Sequence, residues 1–128
     1  MRAVVQKAHG GQVVVDGARV GGFEGPGLVI LVGITPGDSP ELAGRLADKA
    51  YDLRIFDSAD GPEVSAGDLG LPVLVISQFT LYGDTRKGRR PSWTAAAPGP
   101  IAEPLVDEVV GELLHRLDAQ RCPADSGE

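Results

Sequence analysis

Cysteine is almost missing from this chain. Cys122 is its single thiol in 128 residues, so an intramolecular disulfide is excluded. With only two histidines beside it, the usual His/Cys zinc cages are excluded as well, and a metal-free site is expected. Long hydrophobic runs are lacking too. The longest, residues 28–32 (Leu-Val-Ile-Leu-Val), is far too short to span a bilayer, and the opening Met-Arg-Ala-Val-Val-Gln-Lys turns polar at once. No membrane association and a cytoplasmic location are therefore expected. Neither a Walker phosphate loop nor a dinucleotide fingerprint occurs. His9 and His115 have no local acidic partner of motif type, so each reads as a surface residue rather than a triad base.

The length fits one domain, placed at residues 1–120, with residues 121–128 as an unstructured tail. Net charge is −6, the wrong sign for a broad nucleic-acid binder. The average hides a pattern: four of the twelve basic residues, Arg86, Lys87, Arg89 and Arg90, fall within five positions. Acid is concentrated elsewhere, as at Glu103, Asp107, Glu108 and Glu112. A basic patch on an acidic body can still hold RNA.

Glycine (18) and proline (10) punctuate short apolar runs. Residues 3–7 read as a strand, Gly10-Gly11 as a turn, and residues 12–15 as a second strand. Asp16-Gly17 is a hairpin signal. Gly25-Pro26-Gly27 is read as a break before the buried strand 28–32. Ser39-Pro40-Glu41 starts a helix whose apolar stripe is Leu42, Leu46 and Ala50. Residues 53–56 form a strand and residues 57–63 a polar turn. Residues 72–76 form a central strand that delivers Ser77. A second helix covers residues 101–118, with Leu105, Val109, Leu113 and Leu117 as its stripe, widened by Val106, Val110 and Leu114. This order predicts an α/β fold: mixed β-sheet layers with two main helices packed on them.

A strand that abruptly presents Ser77, Gln78, Phe79 and Thr80 at its exit sets polar groups where a sheet opens. Backbone N–H groups there could hold a carbonyl oxygen as it gains charge. The same residues could equally cap and turn the strand end. The basic run follows within a few residues, with Trp93 close by. Cations for phosphate and an aromatic for base stacking beside a carbonyl site suggest an aminoacyl-nucleotide ester, although Trp93 could also belong to the core.

Residues 77–82 (Ser-Gln-Phe-Thr-Leu-Tyr) with Thr85-Arg86-Lys87-Gly88-Arg89-Arg90-Pro91-Ser92 resemble the signature of the D-aminoacyl-tRNA deacylases. The opening residues 1–7, Val15-Asp16-Gly17, Gly25-Pro26-Gly27-Leu28, the run 52–57 and Ala95-Ala96-Ala97-Pro98 follow in the family's order, so the resemblance covers about residues 1–118. It implies a D-aminoacyl-tRNA deacylase-like fold and a cytoplasmic homodimer without metal or cofactor. The implied reaction is hydrolysis of D-aminoacyl-tRNA, and of glycyl-tRNA mischarged on tRNA-Ala, as chiral proofreading in translation. It also implies that Ser77, Gln78, Phe79 and Thr80 line the pocket. Thr80 matches a threonine that could serve as nucleophile, but no base is evident to activate it. The Phe79 and Thr80 N–H groups are therefore expected at the oxyanion, with Gln78 and Ser77 shaping the site and the substrate's own 2′-hydroxyl assisting.

The family's terminal strands carry a cis Gly-Pro dipeptide that reaches into the partner's pocket and rejects L-amino acids. Residues 121–128 resemble nothing in that region. Gly25-Pro26 matches a family turn, and Gly61-Pro62 and Gly99-Pro100 are read as loops of the wrong context. The loss of pattern after Asp118 fits a truncation or a shifted frame. Ester hydrolysis is thus better supported than D-specificity, and an impaired or binding-only relative is the alternative expectation.

Overall fold

The computed structural model describes the backbone of residues 1–121 and the side chains of residues 1–117. Of the expected tail 121–128, Arg121 ends a helix and Cys122 onward lies outside the described residues.

The first two strands are longer than the punctuation suggests. β1 (Arg2–Val15) and β2 (Ala18–Gly33) form one antiparallel hairpin. Its turn is Asp16-Gly17, both with positive φ (50° and 79°), the twist that two-residue hairpins need. Gly10-Gly11 is no turn: Gly10, at φ 88°, sits at a register shift between His9 and Gly11, so the positive φ makes a bulge inside β1. Gly25-Pro26-Gly27 does not break the chain either. Pro26 stands opposite His9 at that bulge, before a third strand joins at Leu28, and there a missing N–H costs little.

β2 alternates in burial. Leu28, Ile30 and Val32 are fully buried, while Val29 and Leu31 are half-buried on the other face. Each such side chain contributes roughly 1.5–3 kcal/mol on leaving water. Three strands lead onward after the helix α1 (Pro40–Asp52). β3 (Arg54–Ser58) and β4 (Gly61–Ser65) pair as a separate antiparallel hairpin, followed by the short helix α2 (Ala66–Leu69). β5 (Val73–Ser77) then returns parallel to β2, from Leu28 opposite Val73 to Val32 opposite Ser77. The sheet order is β1-β2-β5, so among the described residues β2 is central and β5 lies at an edge, contrary to the expectation of a central strand. The apolar run 28–32 has the buried alternation of a central strand, whereas Val73 to Ile76 are all only half-buried.

α1 starts as its sequence dictates: Ser39 Oγ accepts the Leu42 N–H at 3.3 Å, and Pro40 opens the helix. Its fully buried face is Ala43, Ala47, Ala50 and Tyr51; of the expected stripe Leu42, Leu46 and Ala50, Ala50 is buried and Leu46 packs half-buried against the core, while Leu42 is exposed. α3 (Gly99–Arg121) buries Leu105, Val109 and Leu113 with Leu117 beside them, as expected, but Leu114 faces outward. Arg116 ties the two helices, bonding Asp52 at 2.7 Å and Asp48 at 3.5 Å with its guanidinium 4.9 Å over the Tyr51 ring. The expected polar turn 57–63 is in fact the β3–β4 hairpin, placing Pro62 in a strand, and Gly99-Pro100 begins a helix; among the described residues every peptide bond is trans. The observed class is the expected one, α/β with a mixed sheet and two main helices.

Candidate active site

β5 carries its chain to Ser77, and the backbone then bends into a 3₁₀ turn over Phe79–Tyr82. Gln78 is the hinge between the two. Its N–H still bonds the Val32 carbonyl at 2.8 Å, extending the β2–β5 ladder by a step, while its carbonyl accepts the Leu81 N–H at 3.3 Å. The Phe79 and Thr80 N–H groups are the first of the turn and have no intrahelical partner to bond. Neither makes a hydrogen bond to any described residue.

The turn is fixed from two sides. Gly33 at the end of β2 passes so close that an added Cβ would lie 3.0 Å from Leu81 Cβ and 3.1 Å from the Gln78 oxygen. Arg2 of β1 donates to the Leu81 carbonyl at 3.0 Å and lies 4.4 Å over the Tyr82 ring. Burial and the Asp38 charge push the Tyr82 hydroxyl above its ordinary pKa, against the opposing effect of Arg2.

The four signature residues divide. Ser77 and Phe79 line a pocket of about 420 Å³ whose other walls are Trp93, residues 96–99, Ala102 and Glu103. The first turns of α3 thus close the space in front of the 3₁₀ turn. The Gln78 side-chain amide donates to the Thr80 hydroxyl, so these two side chains engage each other. Among the described residues the Thr80 hydroxyl has the Gln78 amide as its hydrogen-bond partner and no base bonds it; His9 is exposed on β1 and His115 on α3. Among the described residues, no three His, Cys, Asp or Glu side chains converge to hold a metal ion.

Trp93 belongs neither wholly to the core nor to free solvent. It is 41 % exposed, meets Phe79 edge to face with centroids 5.4 Å apart, and covers Gly83. Its segment is anchored to the end of β2, where the Ala97 N–H bonds the Ile34 carbonyl at 2.8 Å and Thr35 Oγ1 donates to the Ala95 carbonyl.

The basic run forms a loop pinched at its base. Asp84 and Ser92 exchange both backbone hydrogen bonds, at 2.8 and 2.7 Å, and Gly88 supplies a positive φ of 69° within the loop. Arg86, Lys87, Arg89 and Arg90 are all exposed there, but they are not equivalent. Asp84 takes the Arg86 guanidinium through both carboxylate oxygens, at 2.7 to 3.1 Å, and the Arg86 backbone N–H as well. The Arg86 side chain and backbone hydrogen bonds hold the Asp84 carboxyl down at about 2. Lys87, Arg89 and Arg90 have no ion-pair or hydrogen-bond partner among the described residues.

Sequence reasoning missed Glu103 and the α3 turn as pocket walls; in sequence Glu103 is only one of a cluster of acidic residues. It also missed Gly83 and Gly33, whose spacing from the signature gives no cue to what packs against them.

A profile of the D-Tyr-tRNA(Tyr) deacylase family matches residues 4–127. A D-aminoacyl-tRNA deacylase of Streptomyces coelicolor is 59% identical over 113 residues, covering 88% of this chain and 77% of the relative. One from Streptomyces griseus is 53% identical over 136 aligned positions, covering 98% and 89%. Among solved structures, a c-Myc DNA unwinding element binding protein superposes with a TM-score of 0.81 at 30% identity, covering 90% of this chain and 77% of that one. A probable eukaryotic D-amino acid tRNA deacylase shares the fold, with a TM-score of 0.77 at 16% identity, covering 96% and 73%.

Proposed function

The chain belongs to the D-Tyr-tRNA(Tyr) deacylase family, and from that membership we propose that it hydrolyses the ester of D-aminoacyl-tRNA at this pocket. Water adds to the ester carbonyl, the bond to the ribose oxygen breaks, and free amino acid and tRNA leave. The observation that carries the site assignment is the pair of unpaired N–H groups on Phe79 and Thr80 beside a pocket lined by Ser77 and Phe79.

In this reading those two amides receive the carbonyl oxygen as it becomes negative. Fixed donors of this kind are worth several kcal/mol because they need no reorganisation during the reaction. The positive end of the α3 dipole, whose first residues line the same pocket, adds to the same effect. Ser77 borders the acyl group, and Gln78 holds the Thr80 hydroxyl in one orientation. With no base on Thr80, the assisting hydroxyl is the 2′-OH of the terminal adenosine. Lys87, Arg89 and Arg90 contact acceptor-end phosphates, and Arg86 braces their loop. The reaction needs no metal or cofactor. Glycyl-tRNA is a second substrate in this proposal, as glycine has no side chain for the pocket to reject.

A homodimer in the cytoplasm is the proposed setting. The exposed valines at the hairpin tip, Val14, Val15 and Val20, are an apolar surface suited to a partner copy. No helix among the described residues is long and apolar enough to cross a membrane.

The test is release of D-tyrosine from D-tyrosyl-tRNA by the folded protein, compared with buffer and with L-tyrosyl-tRNA. Release above buffer is expected. Binding without release would instead favour the binding-only reading.

A further inference from the structure

A second cleft, of about 350 Å³, adjoins the end of the 3₁₀ turn and shares no wall residue with the pocket that Ser77 and Phe79 line. Its walls are Arg2 from the start of β1, Tyr82 and Gly83 from the end of the turn, and Asp84, Thr85 and Arg86 from the root of the basic loop. The partition between cleft and pocket is thin. Gly83 borders the cleft and Trp93 the pocket, and the two touch: a Cβ on Gly83 would lie 2.6 Å from Trp93 Cζ3. The successive residues Ala95 and Ala96 divide in the same way, one to each space.

The cleft is rich in hydrogen-bond donors. Arg2 uses one guanidinium nitrogen on the Leu81 carbonyl, at 3.0 Å, and lies 4.4 Å over the Tyr82 ring, which holds the group in place. Its other N–H groups have no hydrogen-bond partner among the described residues. Neither the backbone N–H nor the hydroxyl of Thr85 is bonded there either. The one carboxylate in the lining, Asp84, has both oxygens taken by Arg86. One positive charge is therefore left over, and it is fixed on a braced side chain with free donors beside it.

An anion with several acceptor oxygens suits such a site, and a guanidinium matches the geometry of phosphate. The place of the cleft selects the source. Arg86 belongs to the exposed basic loop and Gly83 touches the pocket wall, so the cleft joins the two. We propose that it is a phosphate subsite for the nucleic-acid strand that carries the ester, with Arg2 supplying the charge and Thr85 the neutral donors. This rests on the tRNA reading of the neighbouring pocket. A strand whose 3′ end enters that pocket has its next phosphates at the cleft, and the remaining cations of the loop serve phosphates farther along.

The test uses a deacylated RNA hairpin of acceptor-stem form with a single-stranded 3′ end, so that no ester is present. Binding is followed by fluorescence anisotropy of the labelled RNA over a range of salt concentrations. Arg2→Gln is expected to weaken binding by about tenfold and to flatten the log–log salt slope by about one unit, the share of one phosphate contact. Arg2→Lys keeps the charge and should keep the slope. Thr85→Val should weaken binding by about fivefold with the slope unchanged, because a neutral donor releases no counterion. An unchanged slope in Arg2→Gln would overturn the proposal even if affinity fell, since the loss would then pass through the turn that Arg2 braces. Thr85→Val breaks no hydrogen bond among the described residues, so undiminished binding in that variant would overturn it as well. Inorganic phosphate alone, followed by phosphorus NMR, separates a strand subsite from a free-anion site: weak phosphate binding beside tight RNA binding is expected, and phosphate bound as tightly as the RNA would overturn the strand assignment. A protein that binds the hairpin as described yet releases no tyrosine from D-tyrosyl-tRNA would refute the hydrolase reading and leave the subsite standing; release of tyrosine with the slope untouched by Arg2→Gln would do the reverse.

Discussion

Phe79 and Trp93 meet edge to face, 5.4 Å between centroids with their planes at 75°, and this pair forms one side of the pocket. Such pairs contribute about 0.5–1.5 kcal/mol beyond the area they bury. The pair is held in place by Gly83, over which Trp93 lies: a Cβ at that position would come 2.6 Å from Trp93 Cζ3.

Replacing Gly83 with Ala should therefore unseat the tryptophan. The Gly83 φ of −64° is open to any residue, so the harm comes from contact alone and not from backbone strain. Overpacking of this kind costs roughly 1–3 kcal/mol. The expected result is altered Trp93 emission and reduced kcat/KM on D-tyrosyl-tRNA; unchanged emission would show that the two groups are farther apart in solution.

Two other glycines should behave oppositely. At Gly33 a methyl would press on Leu81 Cβ and the Gln78 carbonyl, which are rigid, and so would displace the 3₁₀ turn. Gly33→Ala is expected to lower kcat/KM by about tenfold with a small change in Tm, since small misplacements of a reacting group are costly. At Gly44, inside α1, a methyl meets nothing within 4 Å. Gly44→Ala should stabilise the protein by about 1 kcal/mol and leave kcat unchanged. Thermal unfolding and steady-state kinetics on the pair would separate the two behaviours.

Gln78 and Thr80 should act as a unit. Their side chains bond each other, so removing either frees the other. Gln78→Ala and Thr80→Val are each expected to lower kcat/KM by roughly tenfold, and the double variant by little more, which a double-mutant cycle reads directly. A loss on the order of 10⁴ or greater from Thr80→Val alone would instead mark it as a nucleophile.

Asp84 should titrate far below an ordinary carboxylate. Its hydrogen bonds from Arg86 depress the folded-state pKa from 3.8 to about 2, so ionised Asp84 is favoured in the fold. That contribution is complete above the ordinary value and fades as pH falls toward about 2. Carboxyl NMR should place its midpoint near that lower value, and a midpoint near 3.8 would show the Arg86 pairing absent. The same pairing orders the cations of the loop. Arg89→Gln and Lys87→Gln should each flatten the log–log salt dependence of tRNA binding by about one unit. Arg86→Gln should do so less, because its charge is already answered by Asp84.

Much of this was legible in the residues. The Asp16-Gly17 turn, the Ser39-Pro40 helix start and the Leu105–Val109–Leu113 stripe rest on local rules, and all three hold. The signature run was visible because its polar residues end an apolar strand. What escaped was nonlocal. Gly10 and Gly25 look like stops, yet the facing strand absorbs them into a bulged ladder. The α1 stripe was read one position off at Leu42: the face turns toward Ala43, Ala47 and Tyr51, with the expected Ala50 buried and Leu46 at its edge. α2 did carry a signal, Ser65 three residues before Asp68, which form a reciprocal cap. The Glu103 wall had none, since only the docking of α3 brings it to the pocket that Phe79 also lines.

The bond from Arg2 to the Leu81 carbonyl joins groups 79 positions apart, and the Ala97 N–H reaches back to Ile34. Synthesis proceeds from the N-terminus, so the half of the site made first waits for the half made last. A nascent chain can close its long hairpin and its first helix early, from contacts near in sequence. The 3₁₀ turn after Ser77 has to await the parallel return of β5 and the segment beyond Trp93, which are slow, distant closures. By this order of assembly, an enzyme whose substrate resembles the charged tRNAs feeding its own synthesis acquires its pocket only after most of those tRNAs have been used.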